Sequence, residues 1–354
     1  MSVRGRYRHY SRSMIYSAAM RIILRVYSLV SRPVCAGKAA RYRRGRKTPA
    51  RAPLPILSIG NLTLGGEGKT PLACEIIAHF LRKGWRPALV SRGYRGAWER
   101  SGGVVSDGKT FFGGFREAGD EPVLVARRYP RAGVFVGRGR LASCRAAASL
   151  GFDFCVLDDA FQRLDLARDL DIVLHDPRSS SPRREGDRAL ARADVLLLPR
   201  GTSPERFEAY RRRFPRLKVF EYAAVPRGLF SADGQTGVPL EALSGKRVLA
   251  FAGIARPRRF FSQLESLGAA VVGRMTFPDH HLYPAASRAR IAAAVSRTDP
   301  EMVLTTEKDA VKFEAGELPW EGPGLTVLRI GLDLPDEFFE CLEAAVFPGK
   351  AGHA

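Results

Sequence analysis

The segment that most constrains this chain runs from Ile56 to Phe80. A short apolar run, Ile56-Leu57-Ser58-Ile59, leads straight into Gly60-Asn61-Leu62-Thr63-Leu64-Gly65-Gly66-Glu67-Gly68-Lys69-Thr70. Apolar residues then recur at helical spacing at Leu72, Ala73, Ile76, Ile77 and Phe80. A buried strand that turns through glycines into a helix converges backbone N–H groups and the positive end of the helix dipole on one point, an arrangement that holds phosphate. The closing Gly-Lys-Thr adds a cation that reaches β- and γ-phosphates and a hydroxyl that binds Mg2+. Gly65, Gly66, Gly68, Lys69 and Thr70 are therefore the candidate nucleotide cradle, with Thr70 also a metal ligand. The strict pattern has glycine where this chain has Thr63.

Further along, Phe154-Cys155-Val156-Leu157 is an apolar strand that ends in Asp158-Asp159. A phosphate-loop protein needs such a strand beside the first, because an acidic group there completes the metal's ligand set. Asp158 and Asp159 thus join Thr70 as metal candidates. Strand-like runs at 88–91, 134–136, 171–174 and 195–198, with helical periods between several of them, predict a parallel sheet covered on both faces. A second alternation begins at Val248. The predicted fold class is α/β: a P-loop NTPase-type parallel-sheet lobe plus a second, smaller Rossmann-like lobe, preceded by an amphipathic membrane-associating helix. The expected division is a basic arm over 1–51, a P-loop kinase domain over 52–215, a second α/β domain over 216–345 and a tail over 346–354. Residues 178–216, rich in Arg and Pro and without clear period, are expected to be a loop at the junction.

Charge is unevenly spread. The 354 residues carry a formal net charge of +21, and fourteen basic residues precede the first acidic one, Glu67. Ile15, Ala18, Ala19, Ile22, Ile23, Val26, Leu29 and Val30 form an apolar stripe opposite Arg21, Arg25 and Arg32, as in a helix that lies in a membrane interface with anionic lipids. A nucleic-acid arm on a P-loop ATPase has the same charge, but the apolar stripe has no use on a phosphate backbone; a first helix packed on the body is the third reading. No uncharged stretch there is long enough to span a bilayer. Five scattered cysteines without a Cys-x-x-Cys pair point to neither a disulfide framework nor zinc. Thr306-Glu307-Lys308-Asp309 has the wrong order for a guanine reader, and the protein-kinase motif set is missing.

Ser58-Ile59-Gly60-Asn61-Leu62-Thr63 before the loop and Ser91-Arg92-Gly93-Tyr94 after the next strand begin a series of blocks. Gly119-Asp120-Glu121-Pro122, Asp158-Asp159-Ala160-Phe161-Gln162, Phe277-Pro278-Asp279-His280-His281 and Leu304-Thr305-Thr306-Glu307-Lys308-Asp309-Ala310-Val311-Lys312 continue it. In this order they resemble the tetraacyldisaccharide 4'-kinase family of lipid A biosynthesis. The resemblance implies transfer of the ATP γ-phosphoryl group, with Mg2+, to the 4'-hydroxyl of an acylated glucosamine disaccharide 1-phosphate, giving lipid IVA. It implies two lobes flanking a cleft and residence on the cytoplasmic face of the bacterial inner membrane, with no nucleic-acid or obligate protein partner. A soluble-acceptor P-loop kinase is the remaining rival.

The resemblance also supplies roles. Asp120 is the candidate base supported by His280, and Lys69 holds the donor. By residue type alone Gly-Asp-Glu-Pro reads equally as a helix start. Arg92, Tyr94 and Arg95 follow a strand's C-terminal end, where open α/β sheets bind ligands; the arginines either clamp a phosphate or are surface charge. Arg163 stands where the family usually has histidine, so that histidine's role does not transfer. Arg184-Glu185 matches the family's Leu-Arg-Glu-Pro element only in part, with Glu185 the candidate metal-side residue.

Overall fold

The computed structural model of the chain describes residues 29–64, 68–234, 236–313 and 318–347. Its strands are β1 (Ile56–Asn61), β2 (Pro87–Ser91), β3 (Gly103–Asp107), β4 (Gly133–Val136), β5 (Phe154–Leu157), β6 (Leu170–Leu174), β7 (Val195–Pro199), β8 (Lys218–Ser231), β9 (Gly237–Val238), β10 (Arg247–Ala252), β11 (Ala270–Thr276), β12 (Met302–Thr306) and β13 (Leu325–Asp333). They join in a single 13-stranded sheet of order β11-β10-β12-β13-β8-β7-β6-β1-β5-β2-β4-β3, with β9 paired to β8. Pairing is parallel except at β3–β4, β8–β13 and β8–β9. Every residue of β1, β2, β4, β5, β6 and β7 is buried, as expected of parallel strands covered on both faces.

One strand carries the chain between the two alternating halves. In β8, Lys218–Tyr222 lie parallel to β7, while Ala223–Ser231 run antiparallel to β13. The expected junction at 215/216 thus falls just before a strand shared by both. Its burial is mixed along its length, because it lies at the seam. The stretch expected to be an aperiodic loop holds the helix Pro204–Arg213, with proline in its first turn. Phe207, Tyr210 and Phe214 pack from it onto Leu196, Leu198 and Val219. Three apolar residues among arginines were too sparse a stripe to register as periodic.

The main core lies around the helix Lys69–Arg82, whose Leu72, Ile76, Ile77 and Phe80 meet Phe338, Leu342 and Val346 of the closing helix Asp336–Val346. Each such side chain contributes roughly 1.5–3 kcal/mol on burial. The ring of Phe347 then stacks on Trp85 at 3.6 Å between centroids. The last helix among the described residues therefore braces the helix that follows the phosphate loop.

Residues 29–43 are helical. Lys38 Nζ donates to the Gln162 carbonyl at 3.1 Å, while Leu29, Val30 and Val34 are 71%, 59% and 64% exposed. The predicted amphipathic segment before residue 29 lies outside the described residues. Among the described residues no helix is long and apolar enough to cross a membrane. All five cysteines are free.

His175, at the end of β6, is fully buried, with Nε2 3.0 Å from the Tyr210 hydroxyl. Burial first, and Arg183 second, lower its pKa to about 4. Unfolded, the ring protonates near pH 6.5. Between those values the unfolded chain binds more protons, so stability falls as pH drops through that window. Urea melts from pH 7 to 4.5 should show wild-type stability falling more steeply than that of His175→Gln, by up to about 1.4 kcal/mol per pH unit. Parallel curves would show that His175 is not held neutral.

Candidate active site

Two groups of charged residues meet where the C-terminal ends of the strands converge. The first belongs to the phosphate loop. Gly68 has φ 92°, a conformation glycine adopts freely, and it sets Lys69 and Thr70 in the first turn of their helix, where backbone N–H groups are unpaired. Gly65 and Gly66 lie outside the described residues. Ser58 of β1 pairs with Leu157 of β5, so Asp158-Asp159 emerge beside the loop. A Cβ on Gly60 would fall 2.4 Å from that of Phe161, which explains glycine there.

Asp159 lies 3.3 Å from Lys69 Nζ. Arg184 Nη1 donates to both Asp159 oxygens, at 2.8 and 2.9 Å. Arg184 is delivered by backbone pairing: Leu64 N donates to the Pro182 carbonyl and Arg184 N to that of Leu62, both at 2.7 Å. Burial works to raise the Asp159 pKa, but Lys69 and Arg184 hold it down to about 2. Asp158 differs. It is 5% exposed, its Oδ1 has no hydrogen-bond partner among the described residues, and burial, then Glu121 and Asp159, push its pKa up to about 7. A buried carboxylate oxygen without a donor, beside a second carboxylate, is a hard oxygen set that fits Mg2+. Glu185, also buried, instead pairs with Arg192. Arg163 pairs with Asp165 at 2.9 Å and donates to the Arg138 carbonyl at 3.1 Å, so it anchors the loop after Asp159.

The second group is built around Asp120. Gly119 has φ 85°, and a Cβ there would sit 2.8 Å from the Tyr94 carbonyl. Only glycine fits this close approach, and it places Asp120 at the start of the helix Asp120–Arg128, 5% exposed. His280 Nδ1 lies 3.1 and 3.0 Å from the two Asp120 oxygens, and Lys312 Nζ is 3.1 Å from Oδ2. Lys308 Nζ lies 3.1 Å from Glu121 Oε1, 3.2 Å from His280 Nε2 and 3.4 Å from Asp279 Oδ1. An ammonium can only donate, so Nε2 accepts and the ring proton sits on Nδ1, facing Asp120. Burial opposes charge on both Asp120 and Lys308. His280, Lys308 and Lys312 nevertheless hold the Asp120 carboxyl well below the usual range, and Glu121, Asp120 and Asp279 hold Lys308 well above its own. Asp120, Glu121 and His280 are close enough to share a metal, but the two ammonium groups already supply the positive charge.

Tyr94 presents its ring edge to His280 at 5.2 Å, and Arg95 Nη1 donates to the Asp279 carbonyl at 3.4 Å. Arg92 points to Glu99 instead, at 2.9 Å, a carboxylate it shares with Arg138. His281 is turned away: its Nε2 lies 2.8 Å from Ser287 Oγ and its ring stacks on Phe277. The structure thus brings together Lys69, Asp158 and Asp159 on one side, and Asp120, His280, Tyr94 and Arg95 on the other. Glu121 joins the two, since its charge acts on Asp158. Sequence reasoning assigned no role to Glu121, Arg184, Asp309 or Lys312. Glu121, Asp309 and Lys312 lie inside the family-like blocks, and the four-residue spacing of Lys308 and Lys312 favours one helical face, but neither signal says what these side chains touch.

The family model described as tetraacyldisaccharide-1-P 4'-kinase matches residues 20–346. The chain belongs to this family. It is a kinase of lipid A biosynthesis. Relatives named tetraacyldisaccharide 4'-kinase are 40% identical over 318 residues in Anaeromyxobacter dehalogenans, covering 86% of this chain and 84% of the relative, and 36% identical over 338 residues in Desulfatibacillum aliphaticivorans, covering 90% and 89%. The crystal structure of LpxK from Aquifex aeolicus in complex with ATP is similar at a TM-score of 0.72 and 26% identity, over 93% of this chain and all of that one. In this kinase Gly119→Ala should cut turnover at least about tenfold, because a Cβ in the left-handed region beside the Tyr94 carbonyl displaces Asp120, with ATP affinity retained. Unchanged steady-state turnover would show that the Gly119 contact does not set Asp120.

Proposed function

We propose that this kinase transfers the γ-phosphoryl group of ATP to the 4'-hydroxyl of tetraacyldisaccharide 1-phosphate, giving lipid IVA, at the cytoplasmic face of the inner membrane. The observation that carries this reading is one buried carboxylate, Asp120, held by His280 and Lys312 and separate from the Asp158-Asp159 pair beside the phosphate loop. The ATP in the Aquifex aeolicus structure supports the donor's identity.

Lys69 and the N–H groups of the first helical turn hold the β- and γ-phosphates, with Gly65, Gly66 and Gly68 lining them. Thr70, Asp158 and Asp159 would hold Mg2+, which when bound supplies charge neutralisation across the phosphates. On this reading Glu185 serves the metal side more remotely, through Arg192. Asp120 accepts the proton of the attacking hydroxyl as the O–P bond forms and the γ-phosphorus leaves ADP. A carboxylate held strongly ionised is a weak base. That suffices, because a loose phosphoryl-transfer transition state asks for an oriented acceptor rather than early proton removal. His280 fixes the carboxylate through Nδ1–H. Tyr94 and Arg95, beside His280 and Asp279, face the sugar acceptor and its phosphate, whereas Arg92, held by Glu99, is surface charge on this reading.

Leu29, Val30 and Val34 on the helix over 29–43, with the basic arm before it, suit an anionic bilayer, each cation contributing about 1 kcal/mol near the surface. On this reading the two halves about β8 act as lobes around the cleft. No observation favours the nucleic-acid ATPase alternative.

With γ-labelled ATP, Mg2+ and the disaccharide 1-phosphate in mixed micelles, label should pass to the lipid; hydrolysis of ATP with unlabelled lipid would overturn the reading. Lys69→Ala should lower transfer by about a thousandfold or more. Asp120→Asn should lower kcat by at least about a hundredfold with little change in ATP binding; a loss confined to ATP affinity would move Asp120 to the donor site. Removing residues 1–33 should shift the protein out of the membrane pellet, and continued sedimentation would place the anchor elsewhere.

A further inference from the structure

Lys312 is a buried ammonium, 1% exposed, set between two buried carboxylates. Its Nζ lies 3.1 Å from Asp120 Oδ2 and 3.3 Å from Asp309 Oδ1. Asp309 is fully buried and fixed from three sides. Its Oδ2 accepts from Gly253 N and from Thr306 Oγ1, both at 2.8 Å, and its own backbone N–H donates to Thr306 Oγ1 at 3.2 Å. Those contacts tie it to the ends of β10 and β12, in the second half of the sheet. Asp120 belongs to the first half. Lys312 is thus an arm rooted on one half that ends on the candidate base of the other.

A structural explanation competes with this: Lys312 would merely neutralise Asp309, three residues away. Two observations argue against it. Asp309 already has two donors on Oδ2, and the ammonium reaches Asp120 as fully as it reaches Asp309. We propose that Lys312 is a positioning residue of the transfer reaction: anchored by Asp309, it fixes the Asp120 carboxylate toward the acceptor hydroxyl and ties that carboxylate to the second half of the sheet. The proposal rests on Asp120 being the proton acceptor. The other charged groups facing Asp120 are His280 and Lys308 from the second half and Glu121 from its own helix. Asp279, His281 and Tyr283 surround the two lysines. Lys308 meets His280 and Glu121 and lies beyond hydrogen-bond contact with Asp120, so it does not replace Lys312.

The test is a set of variants of the full chain, assayed in the same micelles. Lys312→Met should lower kcat about 30-fold or more with the ATP KM nearly unchanged, while Lys312→Arg should stay within about fivefold of wild type. In an Asp120→Asn background, Lys312→Met should lower kcat by no more than about threefold further, because both changes strike one unit. Lys312→Met with Asp309→Asn removes the buried pair together, so it should raise the Tm above that of Lys312→Met alone, yet keep the low kcat. A double variant that regains wild-type turnover, or a full multiplicative loss in the Asp120→Asn background, would overturn the proposal. Thermal melts of the four members of the Lys312–Asp120 cycle read the contact without any turnover. Coupled Tm changes support the clamp even if the wild-type chain leaves the lipid unlabelled, an outcome that would sink the reaction assignment instead, and additive changes refute the clamp.

Discussion

A carboxylate that is 5% exposed keeps its charge only where cations and donors replace the water it has lost, and Asp120 draws them from three places. His280 arrives from the loop after β11, Lys312 from just beyond the short helix after β12, and the Glu121 backbone N–H from its own helix, at 3.0 Å. None of these is local apart from the last. The ionisation of Asp120 therefore requires that the two halves of the sheet be held in register, and β8 supplies this by being a strand of both. The ion pairs of Glu307 with Arg128 and with Arg329 add a second tie, between the Asp120 helix and β13.

Backbone strain marks the same place. Non-glycine residues with positive φ include Arg95 at 64°, Asp159 at 50° and His280 at 59°, and all three carry side chains of the two charged groups. Asp and His are among the non-glycine residues that enter this region more readily, whereas Arg gains nothing intrinsic from it. Such conformations persist only where the surroundings over-determine them. Here the Gly119–Tyr94 close approach and the Asp279 and Lys308 contacts do so. A site held in this way is preorganised, which is what a reaction governed by positioning needs.

How much of this could be read from the chain follows from how local each feature is. The strand, glycine turn and Lys69–Thr70 helix start are contiguous, and their chemistry is legible residue by residue. Asp158 and Asp159 are legible one step further, because an apolar strand ending in acids has an obvious place beside β1. Asp120 and His280 became visible only through the order of several blocks resembling a family, since Gly-Asp-Glu-Pro alone is a good helix start. Lys312 and Arg184 lay within family-like segments without a role. A lysine is ordinarily a solvated charge, and nothing near Lys312 in sequence announces that it ends on Asp120. β8 was hidden for a related reason: a strand that serves both halves is buried unevenly and shows neither alternation nor a continuous apolar run.

The donor side and the acceptor side are therefore built differently. Lys69, Thr70, Asp158, Asp159 and Arg184 all come from the first half of the sheet, and the ion pairs of Asp159 with Lys69 and Arg184 are made within it, although the helix that carries Lys69 packs on β13 and the closing helix. The acceptor-side carboxylate also comes from the first half, but the groups that keep it charged and oriented come from the second. Were the halves to move apart, Asp120 would lose Lys312 and His280 together, and a buried carboxylate left without them would take up a proton and cease to be an acceptor.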